Sequence, residues 1–215
     1  MKNRLIFAFA FLCALLSACS AIARELEKPE SIFDQWRLYF YLGDYHADIS
    51  DNQLENPGSE FALGIGGLFE YSEHLDWGFD ALVFSRDYDT PENVSGGPFT
   101  VVSDDMTMTT LGLNFTARLN YTAGIANFYA GAGAGLYFSK LRIVASTLGF
   151  IGSHEETSND PGYFYNYGVM FKISDENQLG LEYRNLSLEA NFSPVTTETI
   201  GIGGDFLLLS YVIAY

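Results

Sequence analysis

The last ten residues, Phe206 to Tyr215, read FLLLSYVIAY and constrain the fold more than any other part of the chain. Side chains of a strand point alternately to its two faces. Leu207, Leu209, Tyr211, Ile213 and Tyr215 therefore share one face, and Phe206, Leu208, Ser210, Val212 and Ala214 the other. At the end of a soluble protein so apolar a strand is an adhesive open edge. In a closed barrel crossing lipid it has no free edge, and its apolar face meets hydrocarbon.

The other end of the chain agrees. Met1 to Arg4 is a short basic start, Leu5 to Leu16 is an unbroken apolar run, and small residues fill Ser17 to Ala23. That is the layout of an export signal, and the run is shorter than the roughly 20 residues of a spanning helix. Two processing sites compete. Ala21-Ile22-Ala23 offers cleavage before Arg24, whereas Leu16-Ser17-Ala18-Cys19 resembles a lipobox in which Cys19 is acylated. Beyond residue 23 no apolar stretch reaches the roughly 18 residues of a transmembrane helix, so the product is soluble or spans as strands. Both cysteines, Cys13 and Cys19, lie in the signal region. Cleavage before Arg24 leaves no thiol for a disulfide, a metal site or a nucleophile.

The net charge is −16, and the signal contains Lys2 and Arg4 but no acid. Nucleic-acid binding is therefore not expected, because phosphate contact needs a basic footprint. Only 18% of residues are charged, 16% are aromatic and 21 are glycine. Together with short alternating runs, this composition points to a β-barrel with aromatic girdles.

Alternation predicts eight strands, at 35–43, 60–72, 75–86, 106–119, 127–144, 162–173, 178–188 and 200–215. Three connections are short, near Glu73, Thr122 and Asp175. Four are long, at 44–59, 87–105, 145–161 and 189–199. Spanning barrels have short periplasmic turns and long extracellular loops, and an even strand number puts both termini in the periplasm. The expected organisation is an export signal at 1–23, a polar lead-in at 24–34 and an all-β, eight-stranded antiparallel up-and-down transmembrane barrel at 35–215. Trp36, Trp77, Tyr121, Tyr163, Tyr211 and Tyr215 are placed as interface girdles.

This pattern resembles the small outer-membrane β-barrel superfamily, which includes the opacity-type proteins and the barrel of outer-membrane protein A. The likeness rests on the signal, the first strand Trp36-Arg-Leu-Tyr-Phe-Tyr-Leu-Gly43, the small-residue strand Phe128-Tyr-Ala-Gly-Ala-Gly-Ala-Gly-Leu-Tyr137 and the aromatic last strand. It implies a place in the cell outer membrane. It also implies recognition by the barrel-insertion machinery through Tyr211, Ile213 and Tyr215, where a terminal Tyr stands in for the family's usual Phe. Members of that family are adhesins, structural anchors, narrow channels or, in a few cases, lipid-modifying enzymes, so membership does not fix activity.

On the face opposite the apolar one lie Glu70, Asp80, Arg118, Lys172, Glu182 and Arg184. Pointing into a narrow lumen they must pair, since an unpaired buried charge is costly. An eight-stranded barrel is only wide enough to be filled by side chains, so a salt-bridged core is expected over an ion path. The long loops are acidic, but calcium-loop spacing is absent, and neither metal nor cofactor is expected. A lipid A-modifying enzyme needs a His with a Ser or acidic partner. His46 and His154 fall in long loops and His74 in a short turn, where no alternation fixes partners; the segment from His154 to Asn159 alone holds the residue types. A soluble lipocalin-like barrel would keep polar residues outside. The reading favoured by these residues is a non-enzymatic, monomeric outer-membrane barrel with acidic extracellular loops, in contact with outer-membrane lipid and lipopolysaccharide and serving envelope structure or surface interaction.

Overall fold

The computed structural model describes residues 36–47, 60–72, 74–88, 102–147, 150–192 and 200–214. The strands are β1 (Trp36–Ala47), β2 (Glu60–Ser72), β3 (Leu75–Tyr88), β4 (Val102–Ala123), β5 (Ala126–Thr147), β6 (Phe150–Lys172), β7 (Asn177–Ser187), β8 (Glu189–Ala190), β9 (Ile200–Gly201) and β10 (Gly204–Ala214). Every long strand pairs antiparallel with its neighbours, and β10 closes the ring on β1 with Arg37 opposite Ala214 and Ala47 opposite Gly204. The apolar last strand thus has both edges hydrogen-bonded, against β1 and β7. A spanning sheet requires that closure, because hydrocarbon offers no partner to an open edge.

Side-chain parity sorts the wall into two surfaces. Phe115, Leu113 and Leu111 of β4, Phe128, Leu136 and Phe138 of β5, Tyr163, Tyr165 and Tyr167 of β6, and Leu207 and Leu209 of β10 point outward and exposed. Tyr39, Tyr41, Phe84, Tyr129, Phe164, Leu208 and Val212 fill the inside. An outward face this apolar is stable only against lipid, which excludes the soluble-barrel alternative.

The short turns follow from their residues. Gly124, with φ of 63°, is the one described residue with positive φ, a conformation that other residues adopt only at a cost. A glycine at the first central position is what a two-residue type II′ hairpin demands. Ile173 to Glu176 link β6 to β7, and Ile173 and Ser174 both donate their N–H groups to the Asn177 carbonyl, at 2.9 and 3.2 Å.

One expectation is overturned. The stretch 145–161 is not a long loop: β5 and β6 stay paired up to Thr147 opposite Phe150. Likewise β4 begins at Val102, ahead of the expected 106, and β1 continues to Ala47. The physical reason is that apolar alternation stops where lipid stops. Above the membrane an outward position is free to be Lys140, Arg142 or Glu155, while the β-branched residues of these segments keep the backbone extended. Pro161 tolerates this position because β6 pairs with β7 only from Tyr163 onward, so at Pro161 it is a free edge. The result is a three-stranded sheet, β4–β5–β6, rising past the barrel rim. The expected loop 189–199 begins with β8, which pairs with β9 at the start of the expected last strand, and that strand is broken at Ile202 and Gly203 before β10.

Candidate functional site: a filled lumen

The centre of the barrel is charged and buried. Arg184 of β7 donates from Nη1 and Nη2 to the two oxygens of Asp80 on β3, at 3.2 and 3.1 Å. Its Nε donates to Oε1 of Glu182 at 3.0 Å. Arg118 of β4 reaches the other oxygen, Oε2 of Glu182, at 3.1 Å, and Tyr129 donates to the same atom at 2.8 Å. Arg118 also donates to the Tyr41 hydroxyl at 2.6 Å, and Asn114 Nδ2 to Asp80 at 2.7 Å. The two guanidinium groups lie over rings: Arg118 is 4.7 Å from the Tyr129 centroid and Arg184 is 4.5 Å from that of Phe164. Two cations and two anions cancel, and bidentate and stacked contacts suit arginine rather than lysine.

Four of the six charges read from the sequence, Asp80, Arg118, Glu182 and Arg184, meet in this cluster. The other two do not join it. Glu70 sits at the end of β2 and pairs with Arg37, which also lies 3.9 Å from the buried Asp76. Lys172 has the inward parity but stands at the last residue of β6, where the wall ends. Its ammonium turns out to solvent and pairs with Asp175 at 2.8 Å. Arg37, Asp76 and the buried Arg86 are the lumen charges the sequence reading passed over. Their inward parity, the same signal that marked Asp80, was available for all three.

Aromatic and apolar groups stop the lumen on the extracellular side. Tyr45, Phe84 and Phe206 form a triangle with ring centroids 4.7 to 5.1 Å apart. Above them the β8–β9 pair folds inward. Leu188, Ala190, Phe192 and Ile202 are all buried, and the Tyr45 hydroxyl donates to the Ile202 carbonyl at 2.6 Å. Toward the short turns, a pocket of about 10 Å³ among Arg37, Asp76, Arg118, Asn120, Asn127 and Gln178 has room for about one water. Among the described residues, packed side chains fill the section between these two ends.

The histidines are spread over the surface. His46 lies exposed on β1 and His74 in the β2–β3 turn. His154 meets Glu156 at 2.6 Å, while Ser158 is held by Asp160 and by the Asn191 N–H at 3.0 Å. The hydroxyl and the imidazole of this segment therefore have different partners. Of the last-strand residues, Tyr211 donates to Asn177 Oδ1 at 2.6 Å and Ile213 is buried. Cys19, Tyr215, the export signal and the lead-in lie outside the described residues.

A closed eight-stranded ring with an apolar outer wall and a filled interior defines a class, the small spanning barrels of the bacterial outer membrane. The sequence matches the outer membrane protein beta-barrel domain over residues 9–206, and the chain belongs to that family in the cell outer membrane. Among solved structures it is similar to Neisserial surface protein A, at 14% identity and a TM-score of 0.56, covering 84% of this chain and 97% of that one. It is also similar to Ail, the attachment invasion locus protein of Yersinia pestis, at 12% identity and a TM-score of 0.48 over 83% and 97% of the two chains. The N-terminal β-barrel domain of Pseudomonas aeruginosa OprF aligns at 9% identity and a TM-score of 0.37 over 83% and 96%. At such identities the likeness is one of fold. No curated protein matches the sequence.

Proposed function

We propose that this is a non-conducting, non-enzymatic monomer that acts at the cell surface through its projecting β4–β5–β6 sheet. One observation carries the reading: β4, β5 and β6 have 22, 22 and 23 residues, against 11 to 13 for β1, β2, β7 and β10. Crossing lipid takes about 9–11. The surplus lies on the side opposite the short turns, which is the extracellular side of such barrels. The filled lumen leaves that surface as the place for function, and lipopolysaccharide and the barrel-insertion machinery are its proposed partners in the envelope.

The test compares cells displaying the full chain with cells displaying a variant whose β5–β6 hairpin is cut back to the membrane rim. Heat-dependent gel mobility checks that both fold. Loss of adhesion to protein-coated and cell surfaces in the trimmed variant supports the reading. Equal adhesion, with detergent sensitivity in the deletion strain, moves the role to envelope structure. Large steady conductance of the purified protein in planar bilayers overturns the closed lumen.

A further inference from the structure

The described chain holds seven Lys and Arg residues, and their placement is uneven. Arg86, Arg118 and Arg184 are in the lumen, and Arg37 and Lys172 belong to the periplasmic end. Only Lys140 and Arg142 remain, both exposed and both on the outward face of β5, two positions apart. They begin where the apolar belt ends, directly after the outward Leu136 and Phe138. Strand register surrounds them with polar groups: Thr109 and Thr157 flank Lys140, and Thr107 and Glu155 flank Arg142.

Farther down the same strand, beyond the outward Phe138, the lipid face is dented. A depression of about 610 Å³ is floored by Ala81 and Ala134 and walled by Ile65, Phe79, Phe115 and Leu136. Small residues between large ones leave a trough in a wall that otherwise bulges. Register puts Phe115 opposite Ala134 and Leu113 opposite Leu136, so the trough is on the same strands that carry the cations higher up. From Ala134 to Lys140 is roughly 20 Å along the strand, six residues at about 3.3 Å each.

We propose that these two features are one site, which holds a single phosphorylated glycolipid of the outer leaflet. Its phosphate lies against Lys140 and Arg142 with the Thr157 hydroxyl beside it, since Thr107 is held by Asp87 at 2.8 Å and Thr109 by Ser85 at 3.1 Å, and an acyl chain fills the trough over Ala81 and Ala134. Glu155 now holds Lys140 at 2.8 Å, but both partners are half-exposed. An exposed ion pair is weak, so a phosphate carrying more charge displaces the carboxylate. The site rests on the outer-membrane address and on the long strand ends facing out. It does not depend on adhesion, which can fail while this site stands.

The experiment is native mass spectrometry of the full chain folded in detergent, titrated with bis-phosphorylated lipid A, its dephosphorylated form and phosphatidylglycerol. One lipid A per chain is expected, with about tenfold weaker retention after dephosphorylation and about tenfold for the Lys140→Gln/Arg142→Gln double variant. Ala134→Leu, which fills the trough, weakens retention several-fold, and Glu155→Gln strengthens it. Lys172→Gln, at the other end of the barrel, changes nothing. Heat-dependent mobility verifies that each variant is folded. Equal retention of dephosphorylated lipid A, or by the double variant, overturns the site. Equal retention of phosphatidylglycerol overturns the choice of glycolipid.

Discussion

Among the described residues, Glu182 is the only carboxylate paired with Arg118, at 3.1 Å, although the two residues are 64 apart in the chain. Arg184, by contrast, has a second carboxylate in Asp80. Glu182→Gln therefore leaves Arg118 as a buried cation with only neutral partners, whereas Asp80→Asn leaves Arg184 still paired. Removing one partner of a buried pair costs about 3–5 kcal/mol. Glu182→Gln is expected to fall in that range and Asp80→Asn below it, read from guanidinium unfolding in lipid vesicles by Trp36 and Trp77 fluorescence. Adding Arg118→Met to Glu182→Gln should recover much of the loss, since an apolar replacement of a buried pair is often neutral.

The glycine wall of β5 makes a second prediction. A Cβ at Gly131 would lie 2.6 Å from the Ala117 carbonyl oxygen and 2.7 Å from Asn166 Oδ1. The first of these is backbone and cannot turn aside. Gly131→Val is expected to cost at least about 1–3 kcal/mol through overpacking. Gly124 is the control, since a Cβ there meets nothing within 4 Å but its φ is +63°. Gly124→Ala should cost about 1–2 kcal/mol of backbone strain with no packing change. Folding yield into vesicles, followed by gel mobility with and without boiling, ranks the two.

These features differ in how far a sequence displays them. The barrel and its outward face were legible because lipid imposes a period of two on every crossing strand, as in Leu111, Leu113 and Phe115. Parity alone placed Asp80, Arg118, Glu182 and Arg184 in one lumen. It could not say that Lys172 would turn away, because that depends on where the wall stops and not on which way a residue points. The last three residues of β5 and the first half of β6 are not legible as strand for the complementary reason. Beyond the membrane no solvent boundary writes a pattern, and only pairing such as Ala145 opposite Gly152 reveals the strand. The β8–β9 cork was illegible because its contacts, such as Tyr45 with Ile202, join residues 157 apart.

That contact supplies a third prediction. The Tyr45 hydroxyl holds Ile202 at 2.6 Å in a buried setting and is 3.4 Å from the Gly203 carbonyl. Tyr45→Phe keeps the ring stack on Phe206 but leaves a buried carbonyl without its donor, a cost of about 1–3 kcal/mol. The loss should be local. Amides of residues 188–192 and 200–203 are expected to exchange hydrogen faster, while those of the β4–β5 pair keep their protection. Uniform loss of protection would show that the cork and the barrel open together.

The charged turn at the periplasmic end gives a pH dependence whose sign is fixed. Lys172 donates to Asp175 at 2.8 Å, and this hydrogen bond, with the charge of the ammonium, holds the Asp175 carboxyl below the usual aspartate range. A carboxyl whose folded pKa is depressed stabilises the fold above its unfolded pKa, and that contribution disappears as pH falls through the folded value. The turn should therefore stay paired at neutral pH and release only below the ordinary aspartate pKa of about 3.9. Lys172→Gln should return the Asp175 titration upward to that value, seen in carboxyl carbon NMR shifts. Global stability at neutral pH should change little, because the pair is exposed and screened by solvent. The same reasoning applies at the opposite end. There the hydrogen bond from Lys140, and then its charge, lower the Glu155 pKa, so Lys140→Gln should raise it while Asp175 stays where it was.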